Sequence, residues 1–217
     1  MSIRAKLYAA LAVTVVGLVV TAGVGIAGMS RLGDRFDNVQ EASRAQALAL
    51  QLKFDVTDFN GWQTAYGYDN GQSRPIFLSS VERYRADFAQ ARRRLTRPQE
   101  QTYLDQVEHA FNDFMRLDDQ AYAALQAGDL ETVKDIFLGP ELVNFSRAAA
   151  ASQRLASYEA GRVAVQDKAF KDARQDALRL LIAVSAIAGL LVVILLITAN
   201  DLARTAEGKL AGEKRPD

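Results

Sequence analysis

Two long uncharged apolar runs lie near the ends of the chain, and they constrain its fold more than any other feature. No charged side chain occurs from Leu7 to Met29, and Arg179 is the only one from Leu178 to Ala199. About 20 apolar residues in a helix cross a hydrocarbon core of about 30 Å, so each run is long enough to span. Arg179 is compatible with this, because its long stem lets the guanidinium reach the headgroup layer. A cleaved secretory signal is the competing reading of the first run, with Arg4 and Lys6 as basic flank and Ala27-Gly28 as small residues at a cleavage site. The run exceeds the roughly 7–15 apolar residues of such signals, which favours an uncleaved anchor. Lys and Arg gather on the cytoplasmic side of membrane proteins. Arg4 and Lys6 precede the first run, and Arg204, Lys209, Lys214 and Arg215 follow the second. Both termini are therefore expected in the cytoplasm of a multi-pass plasma-membrane protein, with the middle of the chain outside. Arg31, Arg35, Lys168, Lys171 and Arg174 border that middle region; they weigh less, because long domains are translocated largely regardless of charge.

The middle is charged, with 26 basic and 26 acidic residues balancing over the whole chain, so nothing points to nucleic acid as a partner. Cysteine is absent, which excludes disulfides, thiolate metal sites and a cysteine nucleophile. Apolar residues recur there at alternating steps of three and four, the seam of helices packed side by side. One seam runs Ala45, Leu48, Leu52, Val56, Phe59, then Trp62 or Gln63, and Tyr66; a second runs Phe77, Val81, Tyr84, Phe88, Ala91, Leu95. A third runs Leu104, Val107, Phe111, Phe114, is interrupted by Asp118, and resumes at Ala121 and Leu125. The fourth, Leu142, Phe145, Ala149, Ser152, Ala156, Glu159, Val163, Gln166, Phe170, is more polar. Turn formers at Asp69–Pro75, Thr96–Pro98, Ala127–Asp129 and Gly139–Pro140 separate the seams. Helices are expected over 30–68, 75–95, 98–127 and 141–177, with a short one capped by Asp129 before Gly139. The fold class is thus all-α: an up-down four-helix bundle flanked by two transmembrane helices. No breaker separates the fourth helix from the second apolar run.

No phosphate loop, paired-histidine zinc helix or nucleophile elbow is present, so no enzyme activity, cofactor or metal is expected. The single histidine, His109, sits between Glu108 and Ala110, and a solvated histidine accounts for it better than a haem ligand. Arg92, Arg93, Arg94 and Arg97 form a basic corner, which a helix C-terminus explains through its dipole without an anionic partner. The most unusual stretch is Thr57–Asp69, which holds the only tryptophan, two tyrosines and two glycines. Two readings fit it. One is tight packing, with Gly61 and Gly67 admitting a close neighbour. The other is a ligand pocket in which Trp62 and Tyr66 supply apolar faces while Asn60 and Gln63 fix orientation.

Two segments carry a family likeness: DFNGWQTAYGYD from Asp58 to Asp69 and AGDLETVKDIFLGPE from Ala127 to Glu141. With the order span, four helices, span, the chain resembles the sensor region of bacterial methyl-accepting chemotaxis proteins, the four-helix-bundle chemoreceptor family. That resemblance implies a homodimer, or a mixed dimer with full-length receptors, that senses a small molecule or a ligand-loaded binding protein and shifts its last helix to signal across the bilayer. The expected division is 1–29 for the N-terminus and first span, 30–177 for an extracytoplasmic sensor domain, 178–199 for the second span and 200–217 for a short cytoplasmic tail. That tail lacks the family's linker and signalling hairpin, so direct kinase control is not expected of it. A ligand-free scaffold, or the sensor of a histidine kinase or diguanylate cyclase, remains an alternative.

Overall fold

The computed structural model describes the backbone of residues 3–213. The side chains of Arg4, Lys6, Lys209, Lys214 and Arg215, on which the expected orientation leans, lie outside the described residues, as does the end of the 200–217 tail. All regular structure among the described residues is helical: α1 (Ile3–Tyr68), α2 (Arg74–Arg94), α3 (Pro98–Gln126), α4 (Leu130–Ile136), a π-helical turn (Phe137–Glu141) and α5 (Leu142–Glu213). Two of these helices, α1 and α5, contain stretches long and apolar enough to cross a membrane.

The chain divides into two compact units. One comprises Asn38–Asp167, and the other is formed by the two chain ends, up to Asp37 and from Lys168. In the unit formed by the ends, a Cβ added at Gly28 would lie 3.9 Å from the Ala177 Cβ, and the rings of Phe36 and Phe170 are 6.2 Å apart. Apolar side chains such as Val16, Leu18, Ile182, Leu190 and Leu196 are exposed along it.

In the 38–167 unit, buried residues of α1, α2, α3 and α5 form one core. The seams of α2 and α3 are buried throughout, including Asp118, the residue that interrupts the third. On α1, Ala45, Leu52, Val56, Phe59, Gln63 and Tyr66 are buried as expected, joined by Ala42 and Ala49, while Leu48 and Trp62 are only partly so. Four aromatic rings fill the centre: Phe59 lies 5.3 Å from Tyr84, 5.5 Å from Phe111 and 5.2 Å from Phe114. On α5 the buried face differs from the expected one. Leu142 is exposed, and Ala148, Ala151 and Leu155 join Ser152, Ala156 and Glu159 inside. In so alanine-rich a helix the neighbouring three-four registers are almost equally apolar, so the pattern does not choose between them.

The connections follow from local chemistry. Asn70 and Gly71 take left-handed conformations (φ 55° and 87°), and the Gly71 N–H donates to the Tyr66 carbonyl at 2.8 Å, ending α1. The Asp69 carboxylate accepts from the Ser73 hydroxyl at 2.5 Å and from the Ser73 N–H at 3.0 Å, and these bonds, the hydroxyl's first, hold its pKa below the usual range. At the start of α3 the Arg97 N–H donates to Glu100 Oε2 at 2.9 Å. Asp129 caps α4, accepting from the Thr132 N–H at 3.1 Å. The chain then turns at Gly139 (φ −105°, ψ −109°), and Pro140 follows at the kink.

Candidate functional site

At the α1–α2 turn the structure gathers an almost fully enclosed polar network. Tyr66 and Gln63, one turn apart on α1, both point into the core and are 0% and 3% exposed. The Tyr66 hydroxyl donates to Asp118 Oδ1 of α3. Arg74, the first residue of α2, donates through Nη1 to the other oxygen of Asp118 at 2.6 Å. The Arg74 guanidinium is packed on aromatic faces, 4.0 Å from the ring centre of Tyr122, 4.9 Å from Tyr66 and 5.3 Å from Phe77. A guanidinium is weakly hydrated and planar, which suits this sandwich better than an ammonium would.

Glu141, the last residue of the π-helical turn, is enclosed beside the network. It is 1% exposed, and neither carboxyl oxygen has a hydrogen-bond partner. Burial first, then the nearby Asp118 charge, push its pKa up to about 8, against the opposite pull of Gln63 and Arg74. At neutral pH Glu141 is therefore mainly a neutral acid, and Arg74 with Asp118 forms the charged pair. The Asp118 carboxyl is pushed up by burial and pulled down by Tyr66 and Arg74. The Tyr66 hydroxyl is pushed well above its ordinary value, again first by burial and then by Asp118.

Phe137 covers the cluster, its ring 6.0 Å from that of Tyr66. A Cβ on Gly67 would collide with the Phe137 ring, so the close neighbour that a glycine admits is this aromatic edge. Nothing lies within 4 Å of a Cβ added at Gly61. Of the four residues singled out for a ligand pocket, Gln63 and Tyr66 are thus enclosed, Tyr66 bonded to Asp118 and Gln63 Nε2 without a hydrogen-bond partner, while Asn60 and Trp62 are half-buried.

A second polar cluster ties α3 to α5. Arg162 Nη1 donates to Glu100 Oε1 and Glu159 Oε2, both at 2.7 Å, and Arg162 Nη2 lies 3.7 Å from Glu41. Glu100 thereby caps α3 and holds α5 together. Burial first, then the neighbouring Glu100, push Glu159 up to about 7. Between α1 and α2, burial first and then Asp87 push Asp55 up to about 6.

Sequence reasoning left Arg74, Glu100 and Glu141 unmarked, because each stands in or beside a turn where no periodicity applies. Asp118 carried a signal as the one polar break in an apolar seam. In the basic corner, Arg92 bridges α2 to α3 through Gln101, Asp105 and Glu108, whereas Arg93 and Arg94 face solvent. His109 is exposed, 3.6 Å from Asp113. Among the described residues no cluster of three or more acidic or histidine side chains forms a metal site. Comparison of the chain with protein-family models, with curated proteins and with solved structures finds no match.

Proposed function

We propose that the chain is the transmembrane sensor of a chemoreceptor-like signal transducer. In this reading an up-down four-helix bundle, built on the 38–167 unit, stands outside the cell membrane between two transmembrane helices, with both termini cytoplasmic. One observation carries it. Both α1 and α5 bury side chains in the core of the 38–167 unit and run, without a break in the helix, through an apolar stretch whose large side chains are exposed. Exposed Val16, Leu18, Ile182 and Leu190 are costly in water and favourable in lipid. An unbroken helix passes a small axial shift or rotation along its length, which is how helical switches commonly work.

Ligand recognition is assigned to the border of the polar network, where half-buried Trp62 and Asn60 adjoin buried Gln63 and Tyr66. A small molecule there would act by altering the Tyr66–Asp118–Arg74 contacts among α1, α3 and α2. The chain is expected to act as a homodimer, or as a mixed dimer with full-length receptors. Support comes from Leu50 and Phe54, which are 48% and 59% exposed on the α1 face away from the core.

The absence of native cysteine makes a direct test simple. A single Gln72→Cys substitution, in the exposed α1–α2 turn, is expected to give a thiol that reacts with a membrane-impermeant maleimide in intact cells. Reaction only after lysis would overturn the topology. Cysteine pairs joining the first and last helices are expected to crosslink at rates that change when a cognate ligand is present. Rates that stay constant across a broad panel of small molecules would favour a ligand-free scaffold instead.

A further inference from the structure

A second site, unrelated to the α1–α2 turn, lies between α3 and α5. Gln106 and His109 on α3 and Asn144, Arg147 and Arg154 on α5 line a cleft of about 740 Å³ whose apolar floor includes Ala110 and Ala150. Among the described residues no carboxylate lines it. Arg147 reaches only Asn144 Oδ1, at 3.4 Å, and Arg154 only Gln106 Oε1, at 2.9 Å. Neither makes an ion pair among the described residues. By contrast, Arg74, Arg83, Arg92 and Arg162 each pair with at least one carboxylate. Asp113, one turn beyond His109 on α3, is engaged by His109 at 3.6 Å and by Arg116 at 3.3 Å.

The cleft therefore concentrates donors: two guanidinium groups whose remaining N–H groups are free, the amides of Gln106 and Asn144, the Ser146 hydroxyl and His109. Asn144 is itself 7% exposed, and its Oδ1 accepts from Arg147. Arg147 and Arg154 are two turns apart on one helix, about 10 Å of rise at 1.5 Å per residue, so two flexible stems can converge on a group between them. Several donors around two arginines match the three terminal oxygens of a phosphate monoester better than the two of a carboxylate. A cleft of this volume also exceeds inorganic phosphate, and its apolar floor suits carbon.

We propose that the α3–α5 cleft binds a phosphate monoester attached to an organic group, through Arg147 and Arg154. The inference does not rest on the sensor reading. The same chemistry occurs in a soluble sugar or glycerol phosphate and in the headgroup of phosphatidic acid, and two experimental arms separate these sources. In the first, glycerol 3-phosphate is titrated by calorimetry into the full chain in neutral detergent, with succinate as a dicarboxylate control. In the second, the full chain carrying Ala150→Cys in neutral detergent is exposed to a dispersed short-chain phosphatidic acid or to the matching phosphatidylcholine, and maleimide labelling is timed.

Saturable binding of glycerol 3-phosphate is expected, weakened at least tenfold in Arg147→Gln and in Arg154→Gln. It should be unchanged in Arg116→Gln, which lies outside the cleft. Both cleft arginines are exposed, and unchanged far-ultraviolet circular dichroism checks that each variant folds. Protection of the introduced thiol by phosphatidic acid alone would identify the lipid as the source. Succinate binding as tightly as glycerol 3-phosphate overturns the phosphate assignment. No binding in the first arm together with no protection in the second overturns the site.

Discussion

Asp118 shows how one polar residue reorganises an apolar seam. Its position in the third seam is that of a core residue, and the structure keeps it there by supplying Tyr66 and Arg74 as donors. Removing one partner of a buried pair leaves a bare charge in a medium of low dielectric constant, at a cost of roughly 3–5 kcal/mol. Arg74→Met is therefore expected to destabilise the 38–167 unit by that amount in urea titration. Asp118→Asn should recover part of the loss when combined with it. Glu141 gives the pH dependence. Its pKa is raised from 4.5 in the unfolded chain to about 8 in the folded one. The folded state thus holds a proton that the unfolded chain releases, so the stability from this group is complete below about pH 4.5 and is lost as pH rises to about 8. Glu159, raised to about 7, and Asp55, raised to about 6, act in the same direction. Glu141→Gln is expected to be nearly neutral at pH 4.5 and stabilising by up to about 5 kcal/mol at pH 8.5, given about 1.4 kcal/mol per pKa unit. Equal stability of variant and parent at both pH values would show that Glu141 is not held neutral in the fold.

Among the elements, α2 and α3 were the most legible. Their seams alternate strictly, turn formers bound them, and their observed limits lie within one residue of the expected ones. The short α4 was legible through Asp129, and Asp129→Ala is expected to cost about 1 kcal/mol, seen as faster amide exchange over Leu130–Ile136. The buried register of α5 was not legible, because alanine packs at an interface and tolerates exposure alike. The site was legible in part. Thr57–Asp69 announced itself by composition, yet its glycines and aromatics fit packing and pocket equally well. What distinguishes Tyr66 from Trp62 is the arrival of Arg74, Asp118 and Phe137 from other elements, which no local pattern encodes.

For the molecule as a whole, most exposed large apolar side chains belong to the two end runs, and the 38–167 unit exposes others, among them Leu50, Phe54, Leu78, Leu138 and Leu142. Those of the two end runs form continuous stretches, as expected of lipid-facing helices. Leu50 and Phe54 are exposed one turn apart on α1, and the proposed dimer would bury them. Phe54→Glu is expected to convert the dimer to monomer in detergent, measured by sedimentation, with little change in melting temperature, since the side chain is 59% exposed. Unaltered sedimentation would remove α1 from the dimer contact.

The sequence by itself determined that the regular structure among the described residues is helical, where most of its helices begin and end, and which two stretches suit lipid. These depend on residues near one another along the chain, through periodicity, capping and turn chemistry. Only the tertiary structure decided that Asp118, Glu141 and Glu159 are enclosed, that Arg74 and Arg162 answer them, and that Arg147 and Arg154 are left without a carboxylate. Burial and pairing are set by what other helices bring to the same place, and that information is not local in the chain.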